Sequence, residues 1–278
     1  MKLTLGFSSC PNDTFLFDAM LHGKVDTEGL SFETFIEDVE SLNKRAFRGD
    51  LDVTKLSYHA FAMVLQKYVL LDAGSALGHG CGPLLIARTH LDDRTLLEGP
   101  IAIPGRFTTA NFLLSLAYPS ARQKQEMIFS DIEQAVLEGS VAAGLIIHEN
   151  RFTYAEKGLV KLMDLGAFWE ESTGLPIPLG GIVIRRELSP ALRRTFNRVL
   201  ERSVRFALQH PLGAMSFVRQ YAQEMDESVM NSHISLYVND YSVNLGETGR
   251  SAVLRLFDVA MAKGVIPVTD QEIFMHYT

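Results

Sequence analysis

Short apolar runs alternate along this chain with segments whose apolar residues return every three or four positions. The first pattern suits buried strands, the second helices that bury one face. Strands are expected near 3–7, 30–36, 51–57, 69–73, 83–87, 100–103, 141–147, 159–165 and 181–184. A first helix is expected where Phe15, Leu16, Ala19 and Met20 keep helical spacing up to Gly23, after the polar cluster Ser8 to Thr14. Asp38 is placed to cap a second helix carrying Val39, Leu42 and Ala46, which stops at Gly49. Ser57 precedes Ala60, Phe61, Val64 and Leu65; Thr108 and Thr109 precede Ala110, Phe112, Leu113 and Leu116. Ser130-Asp131-Ile132-Glu133 reads as a capping box, and its helix stops at Gly139. From Ser189-Pro190 onward the chain reads as helices, including about 212–225, 227–237 and 248–263.

The sharpest feature is Val141-Ala142-Ala143-Gly144-Leu145-Ile146-Ile147, which runs directly into His148-Glu149-Asn150-Arg151. An uncharged run of this length reads as a strand buried on both faces, as in a parallel sheet. His148 then stands at its C-terminal end, where open α/β sheets bind ligands. A histidine in that position is suited to proton transfer near neutral pH; its plain alternative is a residue that merely starts a loop.

Alternating strands and helices imply an α/β fold. Four strands, ending near Phe7, Leu56, Ile103 and Ile147, run into hydroxyl, amide or imidazole side chains, and parallel strands would turn those ends toward one crevice. The Gly-rich stretch 74–82 and the Pro/Gly-rich stretch 174–181 flank a self-contained block. The expectation is two lobes with a ligand cleft between them, one from 1–88 with 184–278 and the other from 89–183.

Composition narrows the function. With 26 basic and 33 acidic residues the net charge is −7, without a long basic run, which disfavours nucleic acid and anionic membranes as partners. No stretch approaches the roughly 20 apolar residues of a membrane helix, and the apolar run at the N-terminus is too short for a signal-peptide core, so a cytoplasmic protein is expected. The two cysteines, Cys10 and Cys81, form no disulfide framework or metal-ligand spacing. His79 beside Cys81 makes only two ligands, so no metal is expected. Ser57, Thr108 and Thr109 are candidate hydrogen-bond donors as well as candidate caps, and Asn12 and Asn43 are candidates to line the cleft. Arg151 suits either a substrate carboxylate or a surface salt bridge. Cys10 has no evident base beside it.

Ser8-Ser9-Cys10-Pro11-Asn12-Asp13-Thr14-Phe15, Thr54-Lys55-Leu56-Ser57-Tyr58, Pro104-Gly105-Arg106-Phe107-Thr108-Thr109-Ala110 and Gly144-Leu145-Ile146-Ile147-His148-Glu149, in this order, resemble the 1,4-dihydroxy-6-naphthoate synthases of the futalosine route to menaquinone. The likeness covers nearly the whole chain, including Gly174-Leu175-Pro176 and the helical tail. It implies a fold like that of a type II periplasmic solute-binding protein. It implies a lyase that takes cyclic dehypoxanthine futalosine, a carboxylated bicyclic aromatic joined to a sugar-derived ring. The products are 1,4-dihydroxy-6-naphthoate and a three-carbon sugar fragment, formed without metal or organic cofactor. His148 matches the family's catalytic base, and the substrate contacts map onto Lys55, Leu56 and Ser57 and onto Thr109 and Ala110 beside Thr108. Ser9 stands where the family pattern has proline. Two other readings are a non-catalytic small-molecule-binding protein of the same fold and a chorismate dehydratase of the same pathway. The missing export signal disfavours the first and Gly-Leu-Ile-Ile-His-Glu the second.

Overall fold

The chain opens with β1 (Lys2–Phe7), α1 (Pro11–Leu21), β2 (Ser31–Ile36), α2 (Val39–Arg48), β3 (Val53–Ser57), α3 (Tyr58–Ala62), β4 (Tyr68–Leu70) and β5 (Ala76–Gly78). A middle segment holds β6 (Leu84–Ala87), α4 (Asp93–Glu98), β7 (Ile101–Ile103), α5 (Thr109–Ala117), β8 (Lys124–Glu126), α6 (Ile132–Glu138), β9 (Ala143–Ile146), α7 (Asn150–Thr153), β10 (Val160–Asp164) and α8 (Leu165–Thr173). It ends with β11 (Ile177–Arg185) and the helices α9 (Pro190–Gln209), α10 (Pro211–Tyr221), α11 (Glu227–Tyr237), α12 (Asp240–Val243) and α13 (Gly246–Ala262). This computed structural model describes residues 1–222, 226–266 and 268–275. The chain divides into two units, Met1–Gly78 with Pro178–Thr278, and His79–Ile177.

The first unit holds a sheet ordered β2-β1-β3-β11-β4, with β5 on β11. β1 runs parallel to β2 and β3, whereas β11 runs antiparallel to β3 and β4. Its core joins Phe15, Leu16, Phe17 and Met20 of α1 to Phe196, Val199, Leu200 and Val204 of α9, all at most 2% exposed. Each such side chain contributes about 1.5–3 kcal/mol by leaving water. α1 is buried from Pro11 to Met20, polar residues included. The helix therefore begins four residues before the apolar spacing at Phe15, with Pro11 at its first position.

The second unit holds a sheet ordered β10-β6-β9-β7-β8. β9 lies parallel to β7 but antiparallel to β6, so the sheet is mixed rather than wholly parallel. A strand buried on both faces carries the same apolar run in either setting. Leu84, Ile86, Ile132, Val136 and Ile146 form the centre of this unit's core. The chain passes between units at 78/79 and 177/178 rather than at 88/89 and 183/184. Strand pairing sets these points: β6 bonds to β9 and β10, and β11 bonds to β3 from Gly180 to Ile184.

Asp38 caps α2 by accepting from Glu40 and Ser41 N–H, and Ser189 caps α9 by accepting from Leu192 N–H. The expected capping box at Ser130 does not form. Ser130 lies in a 3-10 turn, Phe129–Asp131, and its hydroxyl donates to Asp131 Oδ1 at 3.0 Å. Of the helix expected over 212–225, α10 ends at Tyr221, and 223–225 lie outside the described residues. No helix among the described residues is long and apolar enough to cross a membrane.

Candidate functional site

In the first unit, β1 and β3 run parallel with Gly6 opposite Thr54, so the loop after β1 and the residues Lys55–Ser57 emerge at one end of the sheet. Asp13, in the first turn of α1, is wholly buried there and accepts four hydrogen bonds. Ser8 donates from its N–H at 3.1 Å and its hydroxyl at 2.6 Å; Asn12 Nδ2 and Lys55 Nζ each donate at 2.8 Å. Lys55 is only 6% exposed, and Asp13 is its ion-pair partner. Removing either partner of this buried pair would strand the other as an uncompensated charge. The other two N–H bonds of the Lys55 ammonium meet no protein acceptor among the described residues.

A second cluster adjoins it. Ser57 Oγ accepts from Asn43 Nδ2 at 3.3 Å, and Ser57 N–H donates to Asn43 Oδ1 at 3.1 Å. Asn43 Nδ2 also donates to the buried Glu40 at 3.1 Å. Ser57 precedes α3 but its hydroxyl does not cap it, so the hydroxyl proton remains for another acceptor. Gly180, opposite Ser57, permits this close packing. A Cβ there would lie 2.7 Å from Leu56 O and 3.1 Å from Lys55 Cε. Leu56 is fully buried, side chain and backbone, and is paired with Gly181 of β11.

Asn12 reaches further. Its Oδ1 lies 2.9 Å from Nε2 of His233 on α11, a buried imidazole whose ring is tilted 40° against Tyr237 at 4.5 Å.

In the second unit, β7 is parallel to β9, Ala102 opposite Gly144, and to β8, Ile103 opposite Glu126. Three loops therefore leave one end of this sheet. The loop after β7 delivers Thr108, which caps α5: its Oγ1 accepts from Asn111 N–H at 3.2 Å and donates to Gly105 O at 2.8 Å. Thr109 and Ala110 form the buried first turn of α5. Asn111 Nδ2 donates to Arg106 O at 2.8 Å and ties the loop to the helix.

The loop after β9 carries His148, half-buried, with a left-handed backbone (φ +63). Left-handed backbone at a non-glycine residue costs about 1–3 kcal/mol and recurs at functional sites. The imidazole stands edge-on to Phe129 at 4.6 Å, with 66° between the rings. Beyond it Glu149 and Asn150 are buried. Asn150 Nδ2 donates to Glu133 Oε2, which also accepts from Lys157 Nζ at 2.8 Å. α6, which carries Glu133, lies directly on β9. A Cβ on Gly144 would sit 2.5 Å from Ile132 Cγ2.

Arg151 donates to Asp164 at 3.0 Å and to Gly82 O, the salt-bridge arrangement, and so braces the second unit. His79 pairs with Glu170 at 2.9 Å. Burial pushes the Cys81 thiol up to about 12, which keeps it protonated and unreactive near neutral pH. No cluster of three or more His, Cys, Asp or Glu suited to a metal occurs among the described residues. The structure adds Asp13, His233, Phe129 and Glu133 to the residues the sequence singled out. Asp13 lay within the stretch Ser8–Phe15 and Glu133 within Ser130–Glu133, read as a capping box; His233 and Phe129 lay in no motif.

The sequence matches the family model described as menaquinone biosynthesis over residues 3–262. It is similar to a protein named 1,4-dihydroxy-6-naphtoate synthase from Thermus thermophilus, 48% identical over 274 residues that span 98% of this chain and 99% of the relative. A protein of the same name from Streptomyces coelicolor is 44% identical over 271 residues, 95% of each chain. The crystal structure of protein AF1704 from Archaeoglobus fulgidus is similar at a TM-score of 0.91 and 41% identity, covering 95% of this chain and 98% of that one. The periplasmic aliphatic sulphonate binding protein of Escherichia coli shares the fold at a TM-score of 0.66 and 12% identity, covering 98% and 92%. The fold is thus that of the periplasmic binding proteins, α/β with two mixed sheets.

Proposed function

The chain belongs to the menaquinone biosynthesis family, and from that premise we propose that it is a lyase acting on cyclic dehypoxanthine futalosine. The products are 1,4-dihydroxy-6-naphthoate and a three-carbon sugar fragment. His148 is the general base. A neutral imidazole removes a proton from an acidified C–H, and the bond beside the resulting anion breaks. The observation that carries this reading is the left-handed, half-buried His148 at the end of a fully buried strand. The left-handed backbone turns the imidazole out of the β9 line, edge-on to Phe129.

Lys55, Leu56, Ser57, Asn12 and Asn43 bind substrate. The two remaining Lys55 N–H bonds suit an anionic oxygen such as the substrate carboxylate, and the free Ser57 proton suits a carbonyl or hydroxyl. Thr109 and Ala110 contribute as the first turn of α5, whose amides favour negative charge. Thr108 holds that turn in place, because its hydroxyl proton is committed to Gly105 O.

A non-catalytic binding protein has only the fold in its favour, at 12% identity to a sulphonate carrier, against 48% to a named synthase. Incubating purified protein with cyclic dehypoxanthine futalosine decides between them. Release of 1,4-dihydroxy-6-naphthoate, read by mass spectrometry, is expected. Saturable binding without product would favour the binding protein, and neither binding nor product would sink both.

A further inference from the structure

We propose that His233 is a positioning residue for Lys55, acting through Asn12 and Asp13. This rests on reading Asn12 and Lys55 as substrate-binding groups. His233 stands 221 residues from Asn12 in sequence, yet its Nε2 lies 2.9 Å from Asn12 Oδ1, and all four residues of the chain are buried.

The direction of every bond follows from the donors around Asp13. Ser8 N–H and the Lys55 ammonium have only protons to offer, and both point at its carboxyl oxygens. Asp13 is therefore an acceptor on both oxygens. Asn12 touches Oδ1 of Asp13 at 2.8 Å, so it must present its NH2 there. The flipped amide would set two oxygens face to face. With the amide so fixed, Asn12 Oδ1 turns to His233, and only a proton on Nε2 satisfies it. The chain then runs one way, from His233 to Asn12 to Asp13, with Lys55 donating from the other side. Tyr237 fixes the plane of the His233 ring. Loss of the His233 donor strands a buried carbonyl oxygen, and rotating Asn12 to relieve it withdraws a donor from Asp13. The carboxylate that holds Lys55 is then free to shift. In this way α11, far in sequence from the strand ends, determines where a substrate-binding cation sits.

Two measurements on the full chain test this. Nitrogen-15 NMR of the histidine rings, without substrate, reads the tautomer. An Nε2-protonated His233 is expected, with its signals displaced in Asn12→Ala; an Nδ1-protonated ring overturns the proposal whatever the reaction. The second compares His233→Phe, which fills the space without a donor, with His233→Gln, whose amide N–H reaches the same acceptor. His233→Phe is expected to raise KM about tenfold and to leave kcat within about threefold, as loss of uniform binding does. His233→Gln is expected to keep KM within about threefold of wild type. Equal KM in the two variants reduces His233 to packing and overturns the proposal. Wild-type protein that consumes none of the substrate would sink the functional reading alone, and the tautomer would still decide the role of His233.

Discussion

Around Asp13 in the first unit, polar groups are buried and bonded to one another: Ser8, Asn12 and Lys55 converge on one carboxylate, and His233 backs Asn12. In the second unit the His148 side chain is half-buried, its backbone is strained, and an aromatic edge packs against its ring. Under the proposed roles, the difference follows from what each group would have to do. A binding cation gains from a prebuilt, low-dielectric setting that fixes it before the ligand arrives. A base must reach a reacting atom, so it needs exposure, and its precision comes from the anchors beside it, Phe129 and the Glu133–Asn150 bond.

The largest test of this contrast is His148→Asn. Asparagine tolerates left-handed backbone, so the fold should survive. It takes no proton at neutral pH, so turnover should fall by roughly 10²–10⁴-fold. Stopped or continuous assays giving a near-wild-type kcat would remove the base from the strained loop and erase the contrast.

Lys55→Met tests the other region. It leaves Asp13 buried without its counter-charge and should cost about 3–5 kcal/mol in urea unfolding. Adding Asp13→Asn removes the stranded charge but turns an NH2 toward the donors of Ser8 or Asn12, so it should recover only part of that loss. A single variant that loses under about 1 kcal/mol would mean that water already screens the pair.

These two regions were not equally legible in the sequence. The strand before His148 shows as an uncharged run bounded by Gly139 and four polar residues, and its short length and boundaries identify it. Caps at Asp38, Thr108 and Ser189 are local events within three residues, so they could be read directly. The Asp13 network was not, because its partners stand 42 and 221 residues away, and no local pattern encodes such a bond. α1 also hid its first turn: a helix buried all round carries no apolar stripe to mark where it begins. The parallel sheet expected around β9 proved mixed because a two-sided strand does not record the direction of its neighbours.

A smaller effect separates strain from chemistry at position 148. His148→Val and His148→Asn both lack the base, but a β-branched residue fits φ +63 poorly. His148→Val should unfold about 1–3 kcal/mol more readily than His148→Asn. Equal denaturation midpoints and slopes would show that the loop relaxes at no cost, and that its strain is not part of the site.

The smallest effects set one hydroxyl of each unit against the other. Ser57 and Thr108 both precede a helix, and in sequence both read equally as cap or donor. Ser57 Oγ accepts from Asn43 and caps nothing, while Thr108 Oγ1 accepts from Asn111 N–H and gives its own proton to Gly105 O. Ser57→Ala should therefore weaken substrate binding by about 0.5–2 kcal/mol, one neutral hydrogen bond, and also cost about 1–3 kcal/mol in unfolding, because the buried Asn43 donor loses its acceptor. Thr108→Ala should affect stability alone, costing about 1 kcal/mol through the lost cap and leaving affinity nearly intact. Calorimetry in a His148→Asn background, where substrate is not consumed, measures the first, and urea unfolding the second. Equal affinity losses from both hydroxyls would mean that Thr108 releases its cap when ligand binds. The second unit would then rearrange to bind, and the prebuilt group would be confined to the first.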